Sequence, residues 1–251
     1  SFQNQIFQMI EGEKLGSFWG YTFAGVWQED DVNAPFVDAN GQTNGKTNGE
    51  VYKVKPGNSK YVDVNKDGVY NDADQGIIGC GQPTFNWGWN NTFNYKNFDF
   101  SFFVVGFHGF DIYNATHQMG YNLIKSQQMA GVTPMRELLN RWTPTNTNTD
   151  IPGFVKGGTE NKDFFSTRFV ENGSFIKMKS ITLGYTLPEA TCRSLGINNL
   201  RVYASVQNPF HITKYSGLDP EATMGSPLVQ GVDWGAYPNS RNYLIGLNFS
   251  F

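Results

Sequence analysis

The residues best suited to chemistry are the oxygen-bearing side chains between Asp63 and Asp74. Oxygens at alternate positions converge on one point when a glycine, here Gly68, permits a sharp turn, as in calcium-binding loops. An aspartate stands at the closing position, where such loops more often have glutamate. The pattern predicts a structural Ca²⁺ that stiffens an exposed loop and has no catalytic role. Its ligands would be Asp63, Asn65, Asp67, Val69 (through its carbonyl oxygen), Asn71 and Asp74.

A second interpretation of the same stretch needs no metal. Asp and Asn side chains also accept hydrogen bonds from backbone N–H groups two residues later, and turns of this kind are stable without an ion. Residues 51–64 have an extended pattern, so no helix leads into the loop as it would in an EF-hand. The sequence leaves both interpretations open.

The sequence shows no arrangement of catalytic residues. His108, His117 and His211 belong to no HExxH motif, and no nucleophile elbow or phosphate-binding loop occurs. Cys80 and Cys192 form no CxxC pair, which predicts two unpaired thiols. We therefore expect a protein that is not an enzyme and that holds no catalytic cofactor.

Composition narrows the class of protein further. The chain has 251 residues, of which 39% are hydrophobic, 16% aromatic and only 16% charged. Its mean hydropathy is -0.43, and no apolar run approaches the roughly 18 residues of a membrane-spanning helix. These values exclude a helical membrane protein, and the many aromatic residues argue against disorder. The net charge is -3, so no basic surface indicates a nucleic-acid partner.

Alternation of apolar and polar residues is the strongest structural signal. One face of each run is rich in Trp, Tyr and Phe, and the other consists mainly of Asn, Gly, Ser and Thr. Runs of about ten residues match tilted strands that cross a bilayer, with aromatic residues toward lipid and small polar residues toward a wet interior. The pattern predicts strands near 16–27, 84–95, 97–106, 175–187, 199–208 and 241–251.

The connections between these strands alternate in length. Short turns follow Tyr95 and Leu187, whereas long polar segments cover 28–83, 107–172 and 211–238. Outer-membrane barrels have short periplasmic turns and long extracellular loops. Counting the strands back from a periplasmic C-terminus places all the long segments outside the cell. Within the second segment, Thr133-Pro134 predicts the start of a helix that runs to Trp142.

Short motifs spread in order over nearly the whole chain resemble those in the C-terminal part of the SusC/RagA-type TonB-dependent outer-membrane transporters of Bacteroidota. One departure is Cys80, where that family more often has asparagine. The motifs include Leu15-Gly-Ser-Phe-Trp-Gly-Tyr, Lys60-Tyr-Val-Asp-Val-Asn-Lys-Asp-Gly, Pro83-Thr-Phe-Asn-Trp-Gly-Trp-Asn-Asn, Tyr95-Lys-Asn-Phe-Asp-Phe-Ser-Phe-Phe, Ile181-Thr-Leu-Gly-Tyr-Thr-Leu-Pro, Leu200-Arg-Val-Tyr-Ala-Ser-Val-Gln-Asn-Pro-Phe, Thr213-Lys-Tyr-Ser-Gly-Leu-Asp-Pro-Glu and Leu244-Ile-Gly-Leu-Asn-Phe-Ser-Phe.

The resemblance implies an all-β fold, namely the C-terminal portion of an antiparallel transmembrane barrel of about 22 strands with long extracellular loops. Residues 1–251 would supply roughly the last six or seven strands, and the plug and N-terminal extension would lie outside this chain. The resemblance also implies an outer-membrane location, contact with lipid, and import of oligosaccharides or oligopeptides. The partners would be the rest of the barrel, a SusD-like surface lipoprotein, and TonB acting through the missing N-terminal region.

Other classes remain as alternatives. A secreted, calcium-stabilised carbohydrate-binding β module would explain the aromatic residues and the Asp63–Asp74 loop, but not the uncharged polar faces. A porin, or a TonB-dependent receptor for siderophores or cobalamin, would have similar strands. Aromatic residues of the long segments either stack on sugar rings or fix the packing of the loops. These residues are Tyr113, Tyr121, Trp142 and Trp234.

Overall fold

The computed structural model describes residues 6–8, 10–121, 134–154, 164–223 and 230–250. The chain forms two compact units. The loop unit consists of Ser1–Gly81, Tyr113–Val170 and Val232–Gly235, and the sheet unit consists of Gln82–Ile112, Glu171–Gly231 and Ala236–Phe251.

Strands dominate the described residues. In chain order they are β1 (Ser17–Tyr21), β2 (Phe23–Val26), β3 (Pro35–Val37), β4 (Thr43–Thr47), β5 (Ser59–Tyr61), β6 (Gln75–Cys80), β7 (Phe85–Tyr95), β8 (Phe98–His108), β9 (Asp111–Asn114), β10 (Val170–Asn172), β11 (Phe175–Thr186), β12 (Asn199–Thr213), β13 (Val232–Asp233) and β14 (Asn242–Ser250). The α-helices are α1 (Glu29–Asn33), α2 (Asn48–Tyr52), α3 (Ala115–Tyr121) and α4 (Glu189–Ser194). Short 3-10 helices cover Asp72–Asp74, Arg136–Asn140, Thr167–Phe169 and Pro220–Thr223.

The sheet unit is built on one five-stranded sheet with the order β14-β12-β11-β8-β7. Every neighbouring pair in it is antiparallel. The turn between β7 and β8 contains Lys96, whose φ of 52° is in the left-handed region. This sheet confirms the all-β fold class and five of the strands expected from the alternation.

The register gives the sheet two chemically different faces. The polar face carries paired residues such as Thr92 and Ser101, or Thr182 and Ser205. The apolar face carries pairs such as Phe93 and Phe100. On this apolar face Tyr243 is 75% exposed and Ile245 is 85% exposed, so no described part of the chain covers it there. An exposed aromatic face is the opposite of a β-sandwich core, and it suits contact with lipid.

A bulge in β11 preserves this separation of faces. The register shifts between Met178 and Ser180, so odd-numbered residues before the shift and even-numbered residues after it share the polar face. Phe175 and Lys177 lie on that face before the bulge, and Thr182 lies on it afterwards. Bulges commonly change which side chains point to a given side.

Glycines on the polar face each receive a side chain from a neighbouring strand. The ring of Tyr203 lies over Gly246, and the side chain of Phe103 lies within 3.3 Å of where a Cβ of Gly88 would stand. Gly184 lies beneath the side chains of Asp99 and Arg201. The polar face is therefore low in relief at these positions.

The loop unit has a different construction. β1 pairs with β6, β2 with β5, and β3 with β4, each pair antiparallel. Its core cluster consists of Ile6, Phe18, Tyr113, Ala115 and Phe169. The helix α2 begins with a capping box between Thr47 and Glu50.

The strand expected over 16–27 is corrected by this arrangement. It is divided into β1 and β2, and neither belongs to the five-stranded sheet. Most residues of β1 are buried, whichever face they are on, because Phe18 and Tyr21 pack inside the unit. At Gly20 a Cβ would stand 2.5 Å from the carbonyl oxygen of Phe165, so this strand is enclosed by protein.

The long segments are also more structured than their polarity suggests. The segment 28–83 contains β3 to β6 and two helices, and the turn between β11 and β12 contains α4. The helix expected over Thr133–Trp142 is a 3-10 helix at Arg136–Asn140, and Thr133 lies outside the described residues. Among the described residues, no helix is long and apolar enough to cross a membrane.

Candidate functional site

The predicted calcium loop follows β5 and ends in the 3-10 helix Asp72–Asp74. Its first predicted ligand, Asp63, accepts two hydrogen bonds at Oδ2, from the backbone N–H of Gly68 at 2.8 Å and from the Tyr52 hydroxyl at 2.8 Å. Gly68 has a φ of 84°, which a glycine adopts without strain. The sharp turn expected from the sequence is therefore present.

The middle of the loop is a series of Asx turns. Asn65 Oδ1 accepts from the N–H of Asp67 at 3.1 Å, and Asp67 Oδ1 accepts from the N–H of Val69 at 2.8 Å. The side-chain amides of Asn65 and Asn71 both donate to Asp67 Oδ2, at 2.9 and 3.1 Å. Asn71 also donates to the carbonyl oxygen of Val69 at 3.2 Å. The Val69 N–H and the two amides hold the pKa of the Asp67 carboxyl below its usual range.

The closing residue, Asp74, has both oxygens engaged. Oδ1 accepts from the N–H of Val64 at 2.8 Å, and Oδ2 accepts from the N–H of Asn71 at 3.0 Å. The residue is only 3% exposed. Asp74 thus ties the end of the loop to its beginning.

One oxygen of the predicted ligand set stands apart. Asp63 Oδ1 is buried and has no hydrogen-bond partner, whereas Asp63 Oδ2 has two. Within the described ranges, no three acidic, histidine or cysteine side chains lie together as a metal-binding group. The structure therefore brings Asn65, Asp67 and Asn71 into direct contact and leaves Asp63 with one free acceptor.

Tyrosines support the loop, and the ligand spacing gave no sign of them. Tyr52 stacks on Tyr70 with ring centroids 5.2 Å apart and also packs near Trp27 and Phe36. Burial raises the pKa of the Tyr70 hydroxyl to about 12. Burial, together with the hydrogen bond to Asp63, also raises the pKa of Tyr52. Both hydroxyls therefore remain protonated, so Tyr52 is the donor to Asp63.

The histidines are placed in aromatic and strand contacts. His108 Nε2 accepts from Trp87 Nε1 at 3.1 Å, and its ring stacks on Phe85. His117 meets the ring of Tyr121 edge-on at 5.9 Å. His211 lies opposite Lys177 in the register of β11 and β12.

Two of the aromatic residues expected in the long segments pack inside the loop unit. Tyr113 is fully buried, and Trp142 donates from Nε1 to Gln28 Oε1 at 2.9 Å while its ring covers Gly57. Trp234 is 36% exposed. The guanidinium of Arg168 lies 5.0 Å from the ring centroid of Tyr121. For Tyr113 and Trp142 the structure favours loop packing over contact with a ligand.

One ion pair crosses the polar face. Arg201 of β12 donates from Nε to Asp99 Oδ1 of β8 at 2.8 Å, and its Nη2 contacts Oδ2. The pair passes over Gly184 of the intervening strand β11. This two-point contact joins strands that are not hydrogen-bonded neighbours.

The curated proteins that this chain resembles are TonB-dependent receptors. No family model matches the chain. TonB-dependent receptor P3 of Formosa agariphila is 35% identical over 255 residues, which cover 99% of this chain and 23% of that receptor. TonB-dependent receptor SusC of Bacteroides thetaiotaomicron is 32% identical over 199 residues, which cover 78% of this chain and 18% of SusC.

Solved structures agree on the fold. A structure of the RagAB peptide transporter matches with a TM-score of 0.68 and 23% identity, over 97% of this chain and 24% of the matched chain. The RagAB peptide importer in the closed-closed state gives a TM-score of 0.67 at 23% identity. The chain spans about a quarter of the length of these proteins.

Proposed function

We propose, because the chain belongs to the SusC/RagA-type TonB-dependent receptors, that it forms part of the barrel wall of an outer-membrane importer energised through TonB. The observation that carries this proposal is the two-faced sheet, in which the exposed aromatic face suits lipid and the polar face, whose charged side chains Asp99 and Arg201 are paired, suits a wet interior. Siderophore or cobalamin receptors and porins remain competing functions. We propose no catalysis.

The cargo we propose is an oligosaccharide or an oligopeptide. Both are rich in hydrogen-bonding groups, and the polar face presents neutral donors and acceptors such as Asn90, Thr92 and Ser205. The name of the similar RagAB structure describes a peptide transporter, which supports the peptide branch of this proposal. We also propose a SusD-like surface lipoprotein as a partner.

The proposed orientation places the C-terminus in the periplasm. The N–H of Asn198, in the connection between β11 and β12, donates to the carbonyl oxygen of Ser250 at 2.8 Å. The end of β14 therefore lies beside one of the shorter connections, and such turns are periplasmic in outer-membrane barrels.

Uptake by the whole transporter tests the function. The transporter would be produced with its neighbouring lipoprotein in cells with and without TonB, and labelled neutral oligosaccharides and peptides of mixed length would be offered separately. We expect TonB-dependent accumulation of one of the two classes. Uptake that continues without TonB would indicate a porin, and uptake of neither class but of an iron complex would indicate a siderophore receptor.

A structural calcium ion is a second proposal, for the loop Asp63–Asp74. The unpartnered, buried Oδ1 of Asp63 favours it, since a cation would satisfy that oxygen. The residues that would hold the ion are those named from the sequence, with Asn71 giving up its hydrogen bond to the Val69 carbonyl oxygen. The ion would supply rigidity only.

A further inference from the structure

Lysines of β11 and carboxylates of the segment after β12 form one charged cluster in the sheet unit. Lys177 lies on the polar face, opposite Val105 of β8 and His211 of β12. Its Nζ donates to Asp219 Oδ2 at 2.9 Å and to Glu221 Oε2 at 2.7 Å. The side chains of Lys177 and Asp219 are only 2% and 3% exposed, so this pair is shielded from water.

The bulge of β11 lies inside the cluster. Lys179 is the extra residue of β11 relative to β8, between Met178 and Ser180, and its Nζ contacts Glu221 Oε1. Glu221 thus receives a different lysine at each carboxylate oxygen. The two lysines and the two carboxylates balance in charge, so each carboxylate neutralises a cation that would otherwise stand beside the strand.

The cluster also binds the chain just before β14. The backbone N–H and the side-chain amide of Asn239 both donate to Asp219 Oδ2 at 3.1 Å. The same amide donates to Glu221 Oε2 at 3.1 Å. Two stretches that are distant in sequence, one after β12 and one before β14, are therefore attached to β11 through the same carboxylates.

Contacts outside the charged cluster also hold the first of these stretches over the polar face. Tyr215 is 5% exposed and belongs to a core cluster with Phe110 and Phe175. Ser216 donates from its N–H and from its hydroxyl to Glu171, both at 2.8 Å. The stretch Tyr215–Thr223 accordingly lies against the sheet and does not extend away from it.

Stability alone does not explain a buried pair of this kind. Ion pairs removed from water are often no more stabilising than apolar side chains of the same size, because both charges lose hydration. Removing one partner is nevertheless strongly unfavourable, since it leaves a buried charge without compensation. Such a pair favours one arrangement of the chain, because any other arrangement leaves a buried charge without its partner.

We propose that the cluster of Lys177, Lys179, Asp219, Glu221 and Asn239 is an electrostatic latch that holds Tyr215–Thr223 and the chain before β14 onto the polar face of the sheet. Loss of one carboxylate loosens both stretches together, because Asp219 and Glu221 lie in the first stretch and both accept hydrogen bonds from Asn239 of the second. The latch rests on the proposed function in one respect only, namely that the polar face would line the wet interior of the barrel.

Hydrogen–deuterium exchange of the whole transporter in detergent tests the latch. In Glu221→Gln and Asp219→Asn we expect peptides from 214–223 and from 236–241 to exchange about tenfold faster or more, the loss expected for a charged hydrogen bond. Peptides from β7 and β8 should exchange as in the wild type. The matched control is Glu189→Gln, which breaks the exposed Arg193–Glu189 ion pair of α4 and should change neither stretch.

Lys179→Gln is a second variant, chosen because it tests the latch without changing a buried residue: the side chain of Lys179 is 29% exposed. It should accelerate exchange of the same two stretches by a smaller factor, because Lys177 still holds Glu221. Unchanged exchange in both Glu221→Gln and Lys179→Gln would overturn the latch. Acceleration of only one stretch, or an equal acceleration in β7 and β8, would also overturn it. The measurement needs neither cargo nor TonB, so its outcome does not depend on whether the protein imports a cargo.

Discussion

Asp63 illustrates how much a single side chain decides in the loop unit. One carboxylate oxygen holds the turn at Gly68 and the hydroxyl of Tyr52, and the other is buried without a partner. The spacing of residues in the sequence predicted the turn and the converging oxygens. It did not predict Tyr52, because that residue reaches the loop from α2 through tertiary packing that no local pattern encodes.

Removing the charge of Asp63 tests the calcium proposal. In the whole transporter, amide exchange of 63–74 should be slower in calcium than in a chelator, and Asp63→Asn should abolish the difference. Asp38→Asn is the matched control, since Asp38 also accepts backbone N–H groups, from Asn40 and Gln42, in a turn without the calcium spacing. Identical exchange of wild-type 63–74 with and without calcium would exclude the ion.

The pH dependence of the latch follows from Asp219 and Glu221. Burial tends to raise the pKa of each carboxyl, but it is outweighed by Lys177 and Lys179 at Glu221, and at Asp219 by Lys177 together with the backbone N–H groups of Asn239 and Glu221, so each pKa lies below its usual range. A group whose folded pKa is lowered stabilises the fold above its unfolded pKa, and this stability is lost as pH falls through the folded pKa.

Exchange of 214–223 should therefore stay slow, after correction for intrinsic rates, from neutral pH down to about pH 4, the ordinary range of carboxyl groups. Faster exchange should begin only below that. His211→Gln is the control, because His211 lies opposite Lys177 in the register of β11 and β12. Faster exchange that begins well above pH 4 and disappears in His211→Gln would contradict the assignment to the two carboxyl groups.

At the level of elements, the alternation predicted the strands of the five-stranded sheet because each of them has one exposed apolar face and one polar face. The same reasoning failed for 16–27. Trp19, Tyr21 and Phe23 alternate just as well, but β1 is enclosed by protein and its partner is β6. Alternation of apolar and polar residues predicts a strand but not the sheet to which the strand belongs, since pairing partners are set by contacts distant in sequence.

Gly184 is the element-scale test, because β11 must pass beneath the Asp99–Arg201 pair. A valine there would displace that pair, and we expect Gly184→Val to lower the stability of the sheet unit by about 1–3 kcal/mol. The measurement is thermal unfolding of the whole transporter in detergent. Gly76→Val is the matched control, since a Cβ at Gly76 of β6 would meet nothing within 4 Å. Equal losses in both variants would mean that the crossing pair is unimportant.

For the whole molecule, the edges of the sheet are decisive. Within the described residues, β7 and β14 each have one neighbour in the five-stranded sheet, so each exposes a row of unpaired backbone groups. Those groups, and the uncovered apolar face, require further strands and lipid. The relatives are about four times longer than this chain, which is consistent with strands supplied from elsewhere in the protein.

We therefore expect residues 1–251 produced alone to aggregate in buffer, or to need detergent. Size-exclusion chromatography and a thermal melt followed by circular dichroism would measure this. The whole transporter in detergent is the control and should elute as one species. A monomeric fragment that melts cooperatively in buffer without detergent would contradict the expectation and would revive a secreted β module.

Side chains of neighbouring strands fill the space over Gly88, Gly184 and Gly246, so the polar face has no recess at these glycines. A smooth wall gives a solute many shallow contacts of similar strength and no recess in which one group can lodge. Contacts of that kind exchange quickly and discriminate poorly among shapes. Under the proposed import function, recognition of a particular cargo would then fall to surfaces with greater relief, and this part of the barrel wall would offer a cargo little resistance.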